Sequence, residues 1–425
     1  MTSEVCVMNR QALVLAADSA VTVSKWNENG KKEERYFKGA NKVFQLSNYN
    51  PVGMMIFDTA DLHRFPWEII AKEYRKQLKD TKCGSLESYA QNFFSHIEQN
   101  VDIFPAVDRA AIFVETVDRA MVRNIAIANE DPTVIAAAGN PAAEDAARNA
   151  ALDNVRTVFA ALPVVAHISQ PEIDALVTLH QAALDKEAAE NIKMFAPGST
   201  YSLANLIEIG VGAVFKVEDA YLSETGIVIA GYGDDDHFPE YIEYSCLGLF
   251  GNKLLTKKIG EHKISRRSTG FINAFATKSM VDTFYLGFSP DVFYAVSHKL
   301  REALQSQSAA LIAAVGGNAS AIPGATIDQI VQAHTDAWTR HIFERHAAPF
   351  RSVVGSLPID ELCNLAETLV MLESLKEKVT KPSESVGGPI DVAVITKSEG
   401  FLWIKRKHFF DAGLNPRYTH RQHLS

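Results

Sequence analysis

The chain has 425 residues, well beyond the ~100–200 residues of an ordinary domain, so two or more domains, or one domain with large insertions, are expected. Hydrophobic residues make up 47% and charged residues 22%, which excludes a disordered, collagen-like or coiled-coil chain. The 42 Lys and Arg residues stand against 51 Asp and Glu residues, a net charge of −9, so no basic field exists to hold nucleic acid as a partner.

Cysteine usage and hydropathy narrow the class further. Cys6, Cys83, Cys246 and Cys363 are far apart and form no C-x-x-C pair, so we expect neither a metal site nor a disulfide framework. This cysteine usage predicts that the protein is located in the reducing cytoplasm. No apolar run reaches the ~18–20 residues that span a bilayer, so no membrane partner is expected. The first residues, MTSEVCVMNRQ, are too polar for a signal peptide, so the mature chain is expected to begin there.

The N-terminal part predicts short antiparallel strands followed by two helices. The strands are apolar runs bounded by polar, Gly, Pro or Asn residues, at 4–9, 12–17, 42–48 and 52–57. One helix begins near Pro66, which is tolerated in a first turn, and a second begins at the N-cap Ser85.

The rest of the chain repeats that order. An Ala-rich, helix-period stretch covers 101–220, strands return at 226–232 and 240–248, and a helix contains 280–286. A second helical stretch covers 290–350, an amphipathic helix covers 359–376, and strands at 390–396 and 401–406 form a closing hairpin.

This order indicates an α+β protein in which helices cover antiparallel sheets, rather than β-α-β alternation. A four-layer α-β-β-α sandwich with helical insertions is the best fit. The predicted division is a core half at 2–100, a helical insertion at 101–220, a core hairpin and helix at 221–289, a second insertion at 290–350 and the C-terminal core at 351–425.

Thr2 is the first candidate for chemistry. Initiator methionine is normally removed before a small residue, which would leave Thr2 with its hydroxyl and a free α-amine on one residue. A threonine hydroxyl is a poor nucleophile without an adjacent base, and an α-amine with an ordinary pKa of ~7.7–8 can serve as that base. Many ordinary proteins also begin Met-Thr, so the neighbouring residues decide the interpretation.

Two charged residues give Thr2 that context. Asp18 follows Thr2 by 16 residues, across a predicted two-strand hairpin that returns its carboxylate close to Thr2. Lys42, at the head of the next strand, can supply a positive charge that lowers the pKa of the amine, and Asp18 can orient Lys42. Taken separately, Asp18 would be a turn residue and Lys42 an exposed charge.

The pattern Thr2, Ala-Ala-Asp18-Ser, Lys42-Val and Thr59-Ala-Asp61, followed by a helix, resembles a proteasome β-type subunit and its bacterial relatives, which are N-terminal-nucleophile (Ntn) hydrolases. The Thr-to-Asp spacing matches this family without a gap, and the Asp-to-Lys interval is longer here. The C-terminal helix, VGGPID and closing hairpin are also similar to the end of the family, so the resemblance covers about half the chain.

The resemblance implies an N-terminal threonine peptidase that cleaves peptide bonds in a peptide or protein substrate through an acyl-enzyme on Thr2, with Asp18 and Lys42 tuning it. No cofactor is implied. Thr22 corresponds to the threonine that pairs with extended substrate, and Met55 to the floor of an apolar specificity pocket. Because the family assembles into rings, a homo-oligomer is expected, and an ATPase partner is left open.

Some positions depart from the family pattern. Phe57-Asp58 replaces the usual Gly-Gly pair whose first backbone N–H belongs to the oxyanion hole, so Phe57 would contact substrate. The late residues that bond the N-terminal amine have no direct counterpart, and Ser385 is the residue that could take their role. A Gly-Ser motif is replaced by 276–279, where Thr277 or Ser279 could substitute.

These departures leave two alternatives. One is a catalytically inactive proteasome-like scaffold or interaction protein, favoured by Phe57-Asp58 and the missing late aspartate. The other is an Ntn amidohydrolase that acts on a small amide, with the insertions closing its pocket.

Overall fold

The computed structural model describes residues 2–26, 32–314, 324–380, 386–411, 413–417 and 420. It is a mixed α+β fold with antiparallel sheets, as the sequence predicts. No helix among these described residues is both long and apolar enough to cross a membrane.

The strands lie in the N-terminal third, the middle and the C-terminal part of the chain. They are β1 Ser3–Asn9, β2 Ala12–Ala17, β3 Ala20–Trp26, β4 Lys32–Lys38, β5 Val43–Gln45, β6 Val52–Asp58, β7 Asp61–Leu62, β8 Phe65–Pro66, β9 Thr225–Gly231, β10 Glu240–Phe250, β11 Lys253–Lys263, β12 Gly270–Ala276, β13 Asp391–Thr396 and β14 Gly400–Lys405.

The helices fall between these groups of strands. They are α1 Trp67–Leu78, α2 Leu86–Gln99, α3 Ala106–Asn129, α4 Pro132–Ala136, α5 Pro141–Ala161, α6 Gln170–Phe195, α7 Leu203–Lys216, α8 Glu218–Tyr221, α9 Ser279–Leu286, α10 Pro290–Ala314, α11 Gly324–Ile342, α12 Ala348–Val354 and α13 Ile359–Thr380. A π-helical turn, Phe343–Ala347, joins α11 to α12.

Two five-stranded sheets carry the core. The first has the order β12-β1-β2-β13-β14 and the second the order β11-β10-β9-β6-β5, with every neighbouring pair antiparallel. The predicted β1–β2 hairpin is present, with Glu4 opposite Ala17. Strands β3 and β4 pair separately, as do β7 and β8.

Four strands of the first sheet, β12, β1, β2 and β13, divide their side chains between two apolar clusters. In β1, Val5 and Val7 pack against α13, whereas Cys6 and Met8 pack against residues of the second sheet such as Val228. Because side chains alternate along a strand, a strand buried on both faces shows a continuous apolar run rather than alternation. Thr2 and Glu4 continue the row that faces the second sheet.

Helices cover the outer faces of both sheets. On the first sheet, α13 packs through Leu362, Ala366 and Leu369. On the second, α1 and α2 bury Trp67 and Phe93, among others. The expected N-cap of α2 is present, since the Ser85 side chain accepts a hydrogen bond from Ser88 N.

The helical stretches behave differently from each other. Helices α3, α5, α6 and α7 share an apolar cluster of their own that includes Phe113, Met121, Leu184 and Leu206. By contrast, α10 buries none of its residues, although it is 25 residues long.

The sequence patterns do not predict strands β3, β4, β7, β8, β11 and β12. Of these, β11 lies at a sheet edge and exposes Lys257 and Lys258. Lysine is depleted from strands in general but is common on edge strands, where its charge opposes pairing with another chain. Because β11 is this polar, its composition does not predict a strand.

Candidate active site

Thr2 immediately precedes β1 and is 6% exposed. Its carbonyl oxygen accepts a hydrogen bond from Thr277 N at 3.0 Å, just beyond β12. Its hydroxyl Oγ1 donates to Glu4 Oε2 at 3.1 Å. Both ends of the residue are therefore held by the neighbouring backbone and by a buried carboxylate.

Asp18 follows β2 and bonds the backbone of Ser3, the residue after Thr2. Its backbone N–H donates to Ser3 O at 3.1 Å, and its Oδ1 accepts from Ser3 N at 3.3 Å. Its Oδ2 accepts from Gly387 N at 2.7 Å. The carboxylate thus joins the start of β1 to the segment that leads into β13.

Lys42 lies just before β5 and is 5% exposed. Its Nζ donates to Asp18 Oδ1 and lies 3.0 Å from Glu4 Oε1. The backbone oxygen of Lys42 accepts from Ile56 N at 2.9 Å, which fixes the residue against β6. The three residues singled out by spacing therefore meet in one buried cluster.

Glu4 is a member of this cluster that the sequence reasoning missed. It is 0% exposed, and burial raises the pKa of its carboxyl to about 7, with Asp18 adding to the rise and Lys42 opposing it. One signal was available in the sequence, because residues i and i+2 of a strand share a face and Glu4 is two residues beyond Thr2. A charged residue within an apolar strand is a second signal, because charged side chains are seldom fully buried unless they are paired.

The cluster places two carboxylates around one ammonium out of contact with water. Buried charges persist only when they are paired and hydrogen-bonded, and each carboxylate here contacts Lys42. The Thr2 hydroxyl is therefore next to a group that can accept its proton and near a cation that can steady developing negative charge.

The space next to Thr2 is small. A cavity of about 10 Å³ adjoins it, lined by Lys42, Phe57 and Asp58 among others, which is about the room that one water molecule needs. Thr59 also lines this cavity and a neighbouring one of about 450 Å³, whose wall includes His63 and Arg64.

The two residues at the departure from the family pattern differ in environment. Phe57 stacks on Phe275 of β12, with ring centroids 5.6 Å apart, and its ring covers Gly226 of β9. Phe57 is therefore a packing residue at the edge of the site. Asp58, by contrast, is exposed and has a φ of 65°, a left-handed conformation that is common for Gly and less rare for Asn and Asp than for other residues.

Two further predicted site residues, Met55 and Thr22, have surroundings of their own. Met55 is completely buried between the sheets and does not line the small cavity. Thr22 lies in β3 opposite Tyr36. Ser385 lies outside the described residues.

The two proposed substitutes for the Gly-Ser motif have separate contacts. Thr277 contributes its backbone N–H to Thr2. Ser279 begins α9 and donates to Glu373 Oε1 at 3.1 Å, while Lys376 Nζ donates to Ser279 Oγ at 2.5 Å. Glu373 Oε2 also accepts from Met280 N, so this group holds the start of α9 against α13.

Within the part of the chain that the structure describes, no group of three or more His, Cys, Asp or Glu side chains is arranged to hold a metal ion. Comparison with known proteins finds no matching family model and no matching curated protein.

Proposed function

We propose that this chain is an N-terminal-nucleophile hydrolase and that Thr2 is its nucleophile. The observation that carries the proposal is the buried cluster in which the Thr2 hydroxyl, Asp18 and Lys42 lie together at the end of the β1–β2 hairpin. The proposal includes release of the Thr2 α-amine by removal of the residue that precedes it.

The packing of the sheets supports the same proposal. Two antiparallel sheets share an apolar cluster, and helices cover the outer face of each. We assign this arrangement to the α-β-β-α sandwich of Ntn hydrolases, with α3–α8 and α10–α12 as insertions into it. In that fold the nucleophile begins a strand of one sheet, and we assign that position to Thr2, which immediately precedes β1.

The chemistry follows from the contacts. Thr2 Oγ1 attacks an amide carbonyl while its proton passes to a neighbouring base, and the ammonium of Lys42 favours the negative charge that develops. Collapse of the tetrahedral intermediate releases the amine and leaves an ester on Thr2. Water then hydrolyses the ester and restores the hydroxyl.

By resemblance to the proteasome-like family, we propose that the substrate is a peptide or protein. We also propose that the chain acts as a homo-oligomer. All four cysteines are free thiols, which fits a reducing, cytoplasmic setting. Hydrolysis of a fluorogenic peptide library tests the substrate class, and light scattering tests the oligomer. Cleavage of small amides alone would favour the amidohydrolase instead.

A second candidate is an inactive proteasome-like interaction protein. The cavity of about 10 Å³ beside Thr2 favours it, because the space next to the nucleophile holds no more than a water molecule. An epoxyketone probe separates the two, since its ring adduct needs a free α-amine and the threonine hydroxyl together. Labelling of Thr2 supports the hydrolase, whereas an accessible Thr2 α-amine that never labels supports the inactive protein.

A further inference from the structure

Glu4 and Thr2 lie on the same face of the chain at the start of β1, and their side chains are in direct contact. Thr2 Oγ1 donates to Glu4 Oε2 at 3.1 Å, and the other carboxylate oxygen is 3.0 Å from Lys42 Nζ. Glu4 is completely buried. The carboxylate is therefore held between the nucleophile and the cation.

Resting on the hydrolase proposed above, we propose that Glu4 is the first acceptor of the Thr2 hydroxyl proton. In this assignment Lys42 fixes the carboxylate and the Thr2 α-amine is not the primary base. The Thr2 and Glu4 pair then constitutes a nucleophile and its base two residues apart in the chain, at the start of β1.

The other groups in the cluster are poorer acceptors. Lys42 is ion-paired to two carboxylates, and an ammonium has three donors and no lone pair to accept a proton. The cluster holds two carboxylates and one ammonium, so its net negative charge would favour the protonated form of a free α-amine on Thr2, contrary to the expectation that Lys42 lowers the pKa of that amine. The carboxylate that already accepts from the hydroxyl is the remaining choice.

The environment of Glu4 suits reversible proton transfer. Burial raises the pKa of its carboxyl to about 7, so it can take up and release a proton near neutral pH. The charged groups that face it are Lys42 and Asp18. Its neighbours across the sheet, Phe275 and Ala17, carry no titratable group.

The proposed step balances as follows. A bond forms between Thr2 Oγ1 and the carbonyl carbon, the hydroxyl proton moves to Glu4, and the carbonyl π electrons move to its oxygen. Collapse re-forms the carbonyl and breaks the C–N bond, and the leaving nitrogen takes the proton from Glu4. In deacylation, water gives a proton to Glu4, attacks the ester, and the proton returns to Thr2 Oγ1 as the carboxylic acid leaves.

The test compares Glu4→Gln with the wild-type chain. We expect Gln to keep the shape and a hydrogen bond but to lower the rate of epoxyketone labelling, and of turnover of any peptide that the wild type cleaves, by ~10²–10⁴-fold, with KM little changed. The rate rise of the wild type with pH through about 7 should be absent in this variant.

Glu240→Gln is the matched control. Glu240 is also partly buried, its pKa is also raised by burial, and it has a lysine partner, Lys263 at 3.3 Å, but it lies at the opposite end of β10 from the cluster. We expect wild-type labelling from it. Glu4→Asp is the second variant, because it keeps the charge for Lys42 while moving the carboxylate away from Oγ1, and we expect folding with slowed labelling.

Each outcome decides between the two proposals. A Glu4→Gln or Glu4→Asp protein that labels at the wild-type rate with the wild-type pH profile overturns the role of Glu4 and leaves the hydrolase in place. A wild-type chain with an accessible Thr2 α-amine that fails to label overturns the hydrolase, and the role of Glu4 with it. If Glu4→Gln does not fold, Glu4→Asp gives the same decision.

Discussion

Lys42 Nζ lies 3.0 Å from Oε1 of Glu4, with both side chains buried, and the same ammonium bonds Asp18. One cation therefore balances two buried carboxylates. In the hydrolase proposed above, the stability of this part of the fold and the reactivity of Thr2 would depend on the same few atoms.

Removing Lys42 should be strongly destabilising. We expect Lys42→Met to lower the free energy of unfolding by about 3–5 kcal/mol, because it leaves two buried carboxylates without a counter-charge. Adding Glu4→Gln should recover part of that loss, since one carboxylate is then neutral. Urea denaturation of the single and double variants measures this coupling.

Lys72→Met is the control for that experiment. Lys72 pairs with Glu68 one helical turn away on the exposed side of α1, where an ion pair contributes about 0.3–0.5 kcal/mol. If the Lys42 variant lost no more stability than the Lys72 variant, the cluster would not be a buried charge network.

Glu4 should also make the stability depend on pH. Its pKa is raised in the folded chain to about 7 from an ordinary 4.5, so the folded state binds the proton more tightly than the unfolded state. The stability that this proton contributes is complete below about pH 4.5 and is lost as the pH rises through about 7.

Comparison of the wild type with Glu4→Gln isolates that contribution, because the other titrating groups are common to both chains. We expect the wild type to lose stability relative to the variant between pH 5 and pH 7.5, as measured by denaturant midpoints at the two pH values. If the difference in stability between the wild type and Glu4→Gln were the same at both pH values, a raised pKa for Glu4 would be excluded.

Gly226 should tolerate no side chain while Phe57 is present. A Cβ at Gly226 would come within 2.0 Å of the Phe57 ring, so Gly226→Ala should cost about 1–3 kcal/mol of stability or more. Combining it with Phe57→Ala should make the two changes non-additive in thermal melts. Gly39→Ala is the control, since nothing lies within 4 Å of a Cβ there.

Asp58 should reduce reactivity through its charge. Relief of its left-handed conformation by Asp58→Gly, about 1–2 kcal/mol, is opposed by the greater backbone entropy of unfolded glycine, so we expect little net change in stability. We expect faster epoxyketone labelling, because the carboxylate next to the developing oxyanion is gone. Asp58→Asn removes the charge alone and should share the gain, and a slower rate in both would contradict this role.

Much of the scaffold around the site could be predicted from local patterns. The hairpin of β1 and β2, the Ser85 cap of α2, and the amphipathic α13 each depend on residues close in sequence. Spacing along two paired strands likewise brought Asp18 to Thr2. Such relationships are fixed by strand geometry and need no knowledge of distant contacts.

The rest depended on tertiary packing. In the sequence, Glu4 is an isolated charge at the start of an apolar strand. Only the folded chain brings Lys42, 38 residues later, into contact with it. The edge strand β11 carries too many lysines to be recognised by composition. Asp58, at the end of β6, lines the small cavity beside Thr2, and no local pattern predicts its left-handed conformation.

We propose above all that Thr2 is a reactive N-terminal nucleophile. Intact-mass and peptide mass spectrometry before and after an epoxyketone probe tests it most directly, with Thr2→Ala as the negative variant and Ser3→Ala, the adjacent buried hydroxyl, as the matched control. We predict a chain that begins at Thr2 and gains one probe mass there, with labelling lost in Thr2→Ala and kept in Ser3→Ala. A chain with a free Thr2 that gains no probe mass, or that gains it at another residue, would contradict the account.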